Sequence, residues 1–291
     1  MIKKVKAQKQ RMYNDVEFLT TLTPSRSYNN PESLEKVCDY IKNEYRKLGI
    51  EYWEQTWEVN GEIYSNIIAS YNPGKNKKRL IVGAHYDVCG PQPGADDNAS
   101  GVAGLLETVR LFIENKPKID YQVDFVAYCL EEPPFFASDK MGSYVHARSL
   151  NKNNVDVIGM ICYDMIGYFS DKPYSQPYPT NELAKLYPSK ANFIILVGIQ
   201  QYGSFNVKFY KNMSRKSKID VQIINFQDSR DLAGLSDHSN YWKFGYNALM
   251  INDTAFIRNP NYHLETDTID TLDFDKMSEV VNSAYRAMIK F

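Results

Sequence analysis

The chain is poor in the residue types that mark several common classes of function. Only four of its 291 residues are cysteine, only four are histidine, and the charged side chains nearly cancel to a formal net charge of −1. The cysteines are Cys38, Cys89, Cys129 and Cys162. They lack the paired spacing of a thiolate zinc site or a disulfide framework, so we expect them to be reduced and mostly buried. The balanced charge gives no footprint for nucleic acid or an anionic membrane, and it favours small, neutral partners.

Long apolar runs are also missing, and this excludes a membrane-spanning helix. Residues 1–6 carry the positive charge of a signal-peptide start, but the polar residues 7–11 follow where an apolar stretch should begin. We therefore expect no export signal in the chain as given and a cytoplasmic protein, or a periplasmic or secreted one if a leader has been removed.

Strand-like and helical patterns alternate along most of the chain. A helix is predicted from Pro31 to Leu48, between Asn30 and Gly49, and a hairpin follows around Asn60 and Gly61. Further strands are predicted at 79–84, 121–130, 155–162, 193–199, 221–225 and 246–252, and helices at 99–115, 142–150, 204–217, from 237, and at 273–291. This order predicts an α/β fold, a single domain over residues 1–291 with a mostly parallel, mixed central sheet flanked by helices on both faces.

Candidate ligands stand where the apolar strands finish. His85, Glu131, Glu132 and Asp164 each follow such a run. Ligands of parallel sheets gather at the carboxyl ends of the strands. Imidazoles together with carboxylates form the mixed ligand set that suits zinc and leave acids over for proton transfer.

Each motif alone has an ordinary structural explanation. His85 and Asp87 lie on one face of an extended segment, so that the carboxylate can orient the imidazole, but such triplets are usually structural pairs. Asp96 and Asp97 precede a run of small residues and could simply cap a helix. Only their combination with the other motifs favours a site.

The acidic pair is more informative than the other motifs. Glu131 and Glu132 would point in opposite directions on a continuing strand, whereas a turn lets one bind metal and the other act as general base. A solvated strand end is the alternative. The apolar residues 133–136 (PPFF) that follow argue against it, because they would shield the acids from water. Asp164 and His263 supply the last two ligand types, His263 from a loop where a lone histidine is usually a surface residue.

Taken together, the motifs resemble the co-catalytic zinc aminopeptidases of metallopeptidase clan MH, whose members include glutamate carboxypeptidase, the transferrin receptor ectodomain and glutaminyl cyclase. The matching segments are GAHYD (83–87), PGADDNASG (93–101), DMIGY (164–168), SDH (236–238) and YHLETDT (262–268). The resemblance runs from about residue 79 to the C-terminus and implies the zinc exopeptidase fold.

The resemblance implies a set of roles around two Zn²⁺ ions. Asp96 would bridge both ions, His85 and Asp164 would complete one, and Glu132 and His263 would complete the other. It further implies that Glu131 is the general base and acid, that Asp87 orients His85, and that the peptide bond from Asp96 to Asp97 is cis. The expected partner is a peptide with a free N-terminus.

Two departures from the family pattern concern the substrate pocket. Residues 133–141 form a longer connection than in many relatives, and we expect it to reshape the rim of the pocket. Ala233 stands where some aminopeptidases place a tyrosine that stabilises the oxyanion. Tyr241, Arg258 or the zinc itself would have to serve in its place.

Three functions are compatible with these motifs. The first is a zinc-dependent aminopeptidase that cleaves the N-terminal peptide bond through a bridging water activated by Glu131. The second is an acyltransferase that resembles glutaminyl cyclase and uses one zinc. The third is a binding module with decayed ligands, which the complete ligand set of this chain disfavours.

Overall fold

The computed structural model describes residues 5–74, 77–230 and 232–291. The first four residues of the segment considered for export lie outside these ranges. Within the described ranges, no helix is long and apolar enough to cross a membrane.

The described chain contains eight strands and eight α-helices, which alternate from residue 79 onward. The strands are β1 (Tyr52–Val59), β2 (Glu62–Tyr71), β3 (Arg79–His85), β4 (Gln122–Tyr128), β5 (Val157–Tyr163), β6 (Phe193–Ile199), β7 (Asp220–Phe226) and β8 (Ala248–Asn252). The helices are α1 (Lys9–Thr20), α2 (Pro31–Leu48), α3 (Gly101–Asn115), α4 (Gly142–Lys152), α5 (Asn181–Leu186), α6 (Gly203–Ser214), α7 (His238–Trp242) and α8 (Phe274–Met288).

The strands form one sheet in the order β1-β2-β4-β3-β5-β8-β6-β7. Its centre, β4-β3-β5-β8, is parallel throughout. Antiparallel pairs join this centre to β2 on one side and to β6 on the other. The predicted α/β fold with a mixed central sheet is thus confirmed, and the carboxyl ends of four neighbouring strands share one edge.

Apolar side chains on the two faces of the sheet fill two separate cores. Along β4, Val123 and Phe125 belong to the core beneath α1, α2, α3, α6 and α8, whereas Val126 and Tyr128 belong to the core beneath α4 and α7. This follows from the alternation of side chains along a strand. Helices therefore cover both faces, as predicted.

Two helices are not predicted by the sequence analysis. α1 buries Met12, Val16 and Leu19 at helical spacing, but the positions between these three are mostly polar, which weakens the pattern. α5 has only six residues and buries none of them, so it leaves no amphipathic signal. All four cysteines are free, as expected, and only Cys89 is partly exposed.

Candidate metal centre

The candidate residues gather at the edge where the parallel strands end. His85 is the last residue of β3, Asp164 directly follows β5, and Glu131 follows β4 by three residues. Because β4, β3 and β5 are parallel neighbours, these three side chains lie close together although they are far apart in the sequence.

The loop before α3 carries the acids Asp96 and Asp97, and it begins at Gly94. Gly94 has a φ of 60°, and a Cβ there would lie 2.3 Å from the Asp97 carbonyl oxygen. Any side chain at this position would therefore displace the loop. The carboxylate of Asp267 holds the loop from the other side by accepting the amides of Asp96 at 2.9 Å and Asp97 at 3.1 Å. Asp267 has no role in the sequence-based prediction, although it lies in the last matching segment.

The cis peptide bond in this loop joins Asp97 to Asn98. The prediction of a cis bond between Asp96 and Asp97 is therefore wrong by one position. The side chain of Asn98 fixes the segment, because its oxygen accepts the amides of Gly101 at 3.0 Å and Met165 at 3.1 Å.

The same one-residue shift applies to the acid between the two histidines. Asp97 Oδ1 lies 3.4 Å from His85 Nε2, and Asp97 Oδ2 lies 3.1 Å from His263 Nε2. Asp96 is turned away from both histidines: its oxygens accept hydrogen bonds from the amide of Gly167 at 2.9 Å and from Asn259 Nδ2 at 2.8 Å. The predicted placement of Asp96 is corrected to Asp97, since adjacent residues in this turn face opposite sides.

A buried carboxylate positions both acids of the pair. Asp87 Oδ1 accepts the amide of Glu131 at 3.1 Å, and Oδ2 accepts that of Glu132 at 3.0 Å. Asp87 also lies behind His85, whose Nδ1 is 3.2 Å from the Asp87 carbonyl oxygen and 3.6 Å from its carboxylate. One side chain thus fixes the turn that separates the two glutamates and contacts the imidazole.

Potential ligand atoms fall into overlapping groups, each within 4.8 Å. These groups are His85 with Asp97 and Asp164, His85 with Glu131 and Glu132, and Cys89 with Glu132 and His263. His263 Nε2 lies 3.3 Å from Glu132 Oε2, and its ring stacks on that of Tyr262 with centroids 3.8 Å apart. The described residues therefore offer donors for metal on both sides of Asp97.

The crowding of acids and imidazoles shifts their pKa values strongly. Burial raises the pKa of Glu131 well above its usual range, and Glu132 adds to this rise, while His85 opposes it. Burial also raises the pKa of Glu132, to about 7. Burial would lower the pKa of His85, but the surrounding carboxylates, Glu131 first, outweigh it and raise the pKa well above its usual value. The carboxylates around His85 thus favour its protonated, cationic form.

The two side chains proposed to bind the substrate as oxyanion donors, Tyr241 and Arg258, do not line the cavity or join the candidate ligands. Tyr241 is completely buried, and its hydroxyl bonds to that of Tyr128 at 2.6 Å and to His146 Nδ1 at 2.7 Å. Arg258 is 5% exposed and donates to Gln176 and to the carbonyl of Phe193. Both predictions are therefore wrong. The sequence shows that a tyrosine and an arginine are present, but it does not show the direction in which their side chains point.

We expect Tyr241→Phe to lower stability without changing turnover more than about twofold. The substitution leaves a buried hydroxyl and a buried imidazole without this partner, which costs about 1–3 kcal/mol. Chemical denaturation and steady-state kinetics on the same preparation check both parts. A large fall in kcat with unchanged stability would restore Tyr241 to the site.

A cavity of about 360 Å³ opens beside the acidic cluster. Asp97, Glu131, Glu132, Asp164 and His263 line one end of it. The rest is largely apolar and includes Ile195, Val197, Ile224, Phe226, Met250 and Phe256. Pro133 and Phe136 of the long connection after the acidic pair also line it, while Ala233 lies in the core.

Comparison with known sequences places the chain among peptidases. The profile of peptidase family M28 matches residues 66–288. The chain is 40% identical over 286 residues to the uncharacterized protein YfbL of Escherichia coli strain K12, covering 95% of this chain and 86% of that protein. It is 28% identical over 222 residues to the probable leucine aminopeptidase 1 of Trichophyton verrucosum, covering 71% of this chain but only 52% of that relative.

Solved structures with the same fold include two from Bacteroides thetaiotaomicron. A leucine aminopeptidase precursor superimposes with a TM-score of 0.74 at 18% identity and full coverage of both chains. A glutaminyl cyclase bound to N-acetylhistamine superimposes with a TM-score of 0.73 at 19% identity, covering 99% of this chain and all of the other. At this identity the structures establish the fold alone. The sequence profile covers most of the chain and includes every residue of the candidate metal centre, and on that ground the chain belongs to peptidase family M28.

Proposed function

We propose that the chain is a zinc-dependent aminopeptidase that hydrolyses the N-terminal peptide bond of peptides. His85, Asp97 and Asp164 would hold one zinc ion, and Asp97, Glu132 and His263 the second. The observation that carries the proposal is the position of Asp97, which turns one carboxylate oxygen toward each histidine.

The residues present fit a pair of cations. Glu132 Oε1 and His263 Nε2 are buried atoms without a hydrogen-bond partner. Buried polar atoms normally have a partner, so two such atoms on neighbouring candidate ligands support a bound metal ion. Imidazole nitrogen with carboxylate oxygen is a donor set that zinc accepts.

Zinc ions at these positions would supply a Lewis acid for the scissile carbonyl and a water of lowered pKa. Glu131 faces the same space, with Oε2 3.8 Å from His85 Nε2, and its amide is held by Asp87. Its carboxylate would take the proton of the attacking water and pass it to the leaving amine. Burial raises the pKa of this carboxyl, which favours its acceptance of that proton.

The cavity favours an apolar residue at the substrate N-terminus. None of the described residues that line it is lysine or arginine, while acids occupy its inner end. The acidic end complements a free α-ammonium group, and the apolar wall complements an uncharged side chain.

We expect leucine and methionine substrates to be cleaved at least about a hundredfold more efficiently, by kcat/KM, than aspartate or glutamate substrates, because the cavity would bury an unpaired carboxylate. Acetylation of the α-amine should abolish cleavage, because it removes the charge that the acids bind. A panel of aminoacyl amides, each free and acetylated, tests this, with zinc counted in the same preparation. Cleavage of acetylated substrates at an undiminished rate would contradict an aminopeptidase.

A second candidate is an aminoacyltransferase like glutaminyl cyclase, supported by the shared fold. The chain offers a donor set at His85 and Asp164 in addition to the one at Glu132 and His263, which favours two metals over one. N-terminal glutaminyl peptides belong in the same panel. Formation of pyroglutamate without hydrolysis would favour the transferase.

Removal of metal should cost more stability at about pH 8 than at about pH 5. Metal binds deprotonated ligands, so protons compete with it. Burial raises the pKa of two proposed ligands, Glu132 to about 7 and Asp164 to about 6. Burial lowers the pKa of His263, but Asp97 and Glu132 outweigh it and bring the value to about 10. All three pKa values exceed those of the unfolded chain, about 3.9 for aspartate, 4.3 for glutamate and 6.5 for histidine. These protonated groups stabilise the metal-free fold fully below their unfolded pKa values. This contribution to stability is lost as the pH rises through their folded pKa values.

Melting temperatures measured with zinc and with a chelator at both pH values check this prediction. The buried His146 and His238, whose pKa values burial lowers to about 3 and about 4, destabilise both forms in acid and so cancel in the difference. A chelator-induced shift that is equal at the two pH values, or larger in acid, would contradict the metal assignment.

A further inference from the structure

One thiol lies directly beside the proposed metal centre. The sulfur of Cys89, a carboxylate oxygen of Glu132 and a ring nitrogen of His263 are all within 4.8 Å of one another. Cys89 follows Asp87 by two residues, and Asp87 accepts the amide of Glu132, so the thiol and this acid are carried by segments that are joined to each other. Cys89 is therefore held close to the cluster.

Ordinary core packing does not explain this cysteine. Cys38 and Cys129 pack in one apolar core and Cys162 in the other, but Cys89 belongs to neither and is partly exposed. Its described neighbours in the cluster are a carboxylate and an imidazole, which are ligand groups rather than apolar ones.

The acid beside the thiol has an unused oxygen. The side chain of Glu132 is 5% exposed, and its Oε1 has no hydrogen-bond partner among the described residues. The nearby His263 Nε2 is also without a hydrogen-bond partner. A thiol beside these two residues satisfies neither atom well, since S–H is a weak donor. A cation bound by all three groups would satisfy each of them.

We propose that Cys89 is a thiolate ligand of the metal ion held by Glu132 and His263, an inference that rests on the metal centre of the proposed function. Coordination would release the thiol proton to solvent. Sulfur donors favour thiophilic ions such as zinc and cobalt over magnesium and manganese. The position at His85 and Asp164, with only nitrogen and oxygen donors in its group, would be the less selective of the two.

Cobalt(II) is a probe for this ligand, because thiolate-bound cobalt absorbs in the near ultraviolet through charge transfer from sulfur. The full chain is stripped with a chelator and titrated with cobalt, next to Cys89→Ser and to Cys38→Ser as a control cysteine in the apolar core. We expect the band in the parent and in Cys38→Ser, and its loss in Cys89→Ser. Bound cobalt without this band in the parent, or a band that persists in Cys89→Ser, overturns the proposal.

X-ray absorption at the zinc edge gives a second, independent measurement. The zinc-loaded parent should show a sulfur neighbour at about 2.3 Å that Cys89→Ser lacks. The affinity of Cys89→Ser for zinc at the position of Glu132 and His263 should also fall by about tenfold or more, because the loss of even an outer-shell partner can lower affinity that much. The peptidase proposal is tested independently of this ligand. If the parent shows the sulfur band but cleaves no aminoacyl substrate, the peptidase activity is refuted while the assignment of Cys89 as a ligand is supported.

Discussion

Glu131→Gln is expected to lower kcat by about 10²–10⁴-fold while folding and zinc content stay nearly unchanged. Glutamine keeps the size of the side chain, and the backbone of residue 131 is held by the Asp87 carboxylate through its amide, which the substitution does not touch. What disappears is the group that would move a proton. Steady-state kinetics, thermal melting and a zinc count on one preparation measure the three quantities.

Glu132→Gln is the matched control, because it makes the same chemical change one residue away. Glu132 Oε2 lies 3.3 Å from His263 Nε2, and its other oxygen lacks a partner, so this variant should lose zinc affinity. If the Glu131 variant instead lost zinc, or kept its turnover within a factor of a few, the roles assigned to the two acids would not stand.

The edge of the sheet that carries the centre can be predicted from the sequence. The apolar runs before His85, Glu131 and Asp164 predict parallel strands, and the carboxyl ends of such strands lie together. This reasoning needs only the period of the pattern and the position of the polar residue that ends it. It holds because the central strands β3 and β4 are buried on both faces, so that their sequences are nearly continuous apolar runs.

The choice between Asp96 and Asp97 cannot be made from such a pattern. The two residues are identical and adjacent, and the π-helical segment that carries them is broken at Asp97, with φ −104° and ψ 93°. Which carboxylate faces the histidines depends on contacts made far along the chain, namely Asp267 to the amides and Asn259 to Asp96. Sequence spacing carries no record of these contacts.

Burial of polar side chains is the second limit of the sequence analysis. Tyr241 and Arg258 have the chemistry of an oxyanion donor, but hydrogen bonds inside the fold already use most of it. A polar residue near a motif is as compatible with a satisfied core position as with a site, and only the three-dimensional partners distinguish the two.

The position of Asp97 leads to the second large expected effect. Asp97→Ala should weaken binding of both zinc ions on the order of a hundredfold or more, since the loss of even an outer-shell partner costs 10–100-fold. The carboxylate lies between the two histidines, at 3.4 Å from one and 3.1 Å from the other, and its charge would offset the repulsion between two cations. By the same reasoning, Asp164→Ala and His263→Ala should each weaken mainly one site.

Asp96→Asn is the control that the neighbouring residue provides. Its carboxylate is bonded to Gly167 and Asn259 rather than to the histidines, so this variant should lose stability but still bind two zinc ions. Titration of zinc stoichiometry and affinity across the four variants and the parent makes the comparison. If the Asp97 variant bound two zinc ions as tightly as the parent does, Asp97 would not be the bridging ligand. A parent that binds a single ion would instead make a one-metal acyltransferase the better account, because the donors at His85 and Asp164 would then serve the substrate rather than a second zinc.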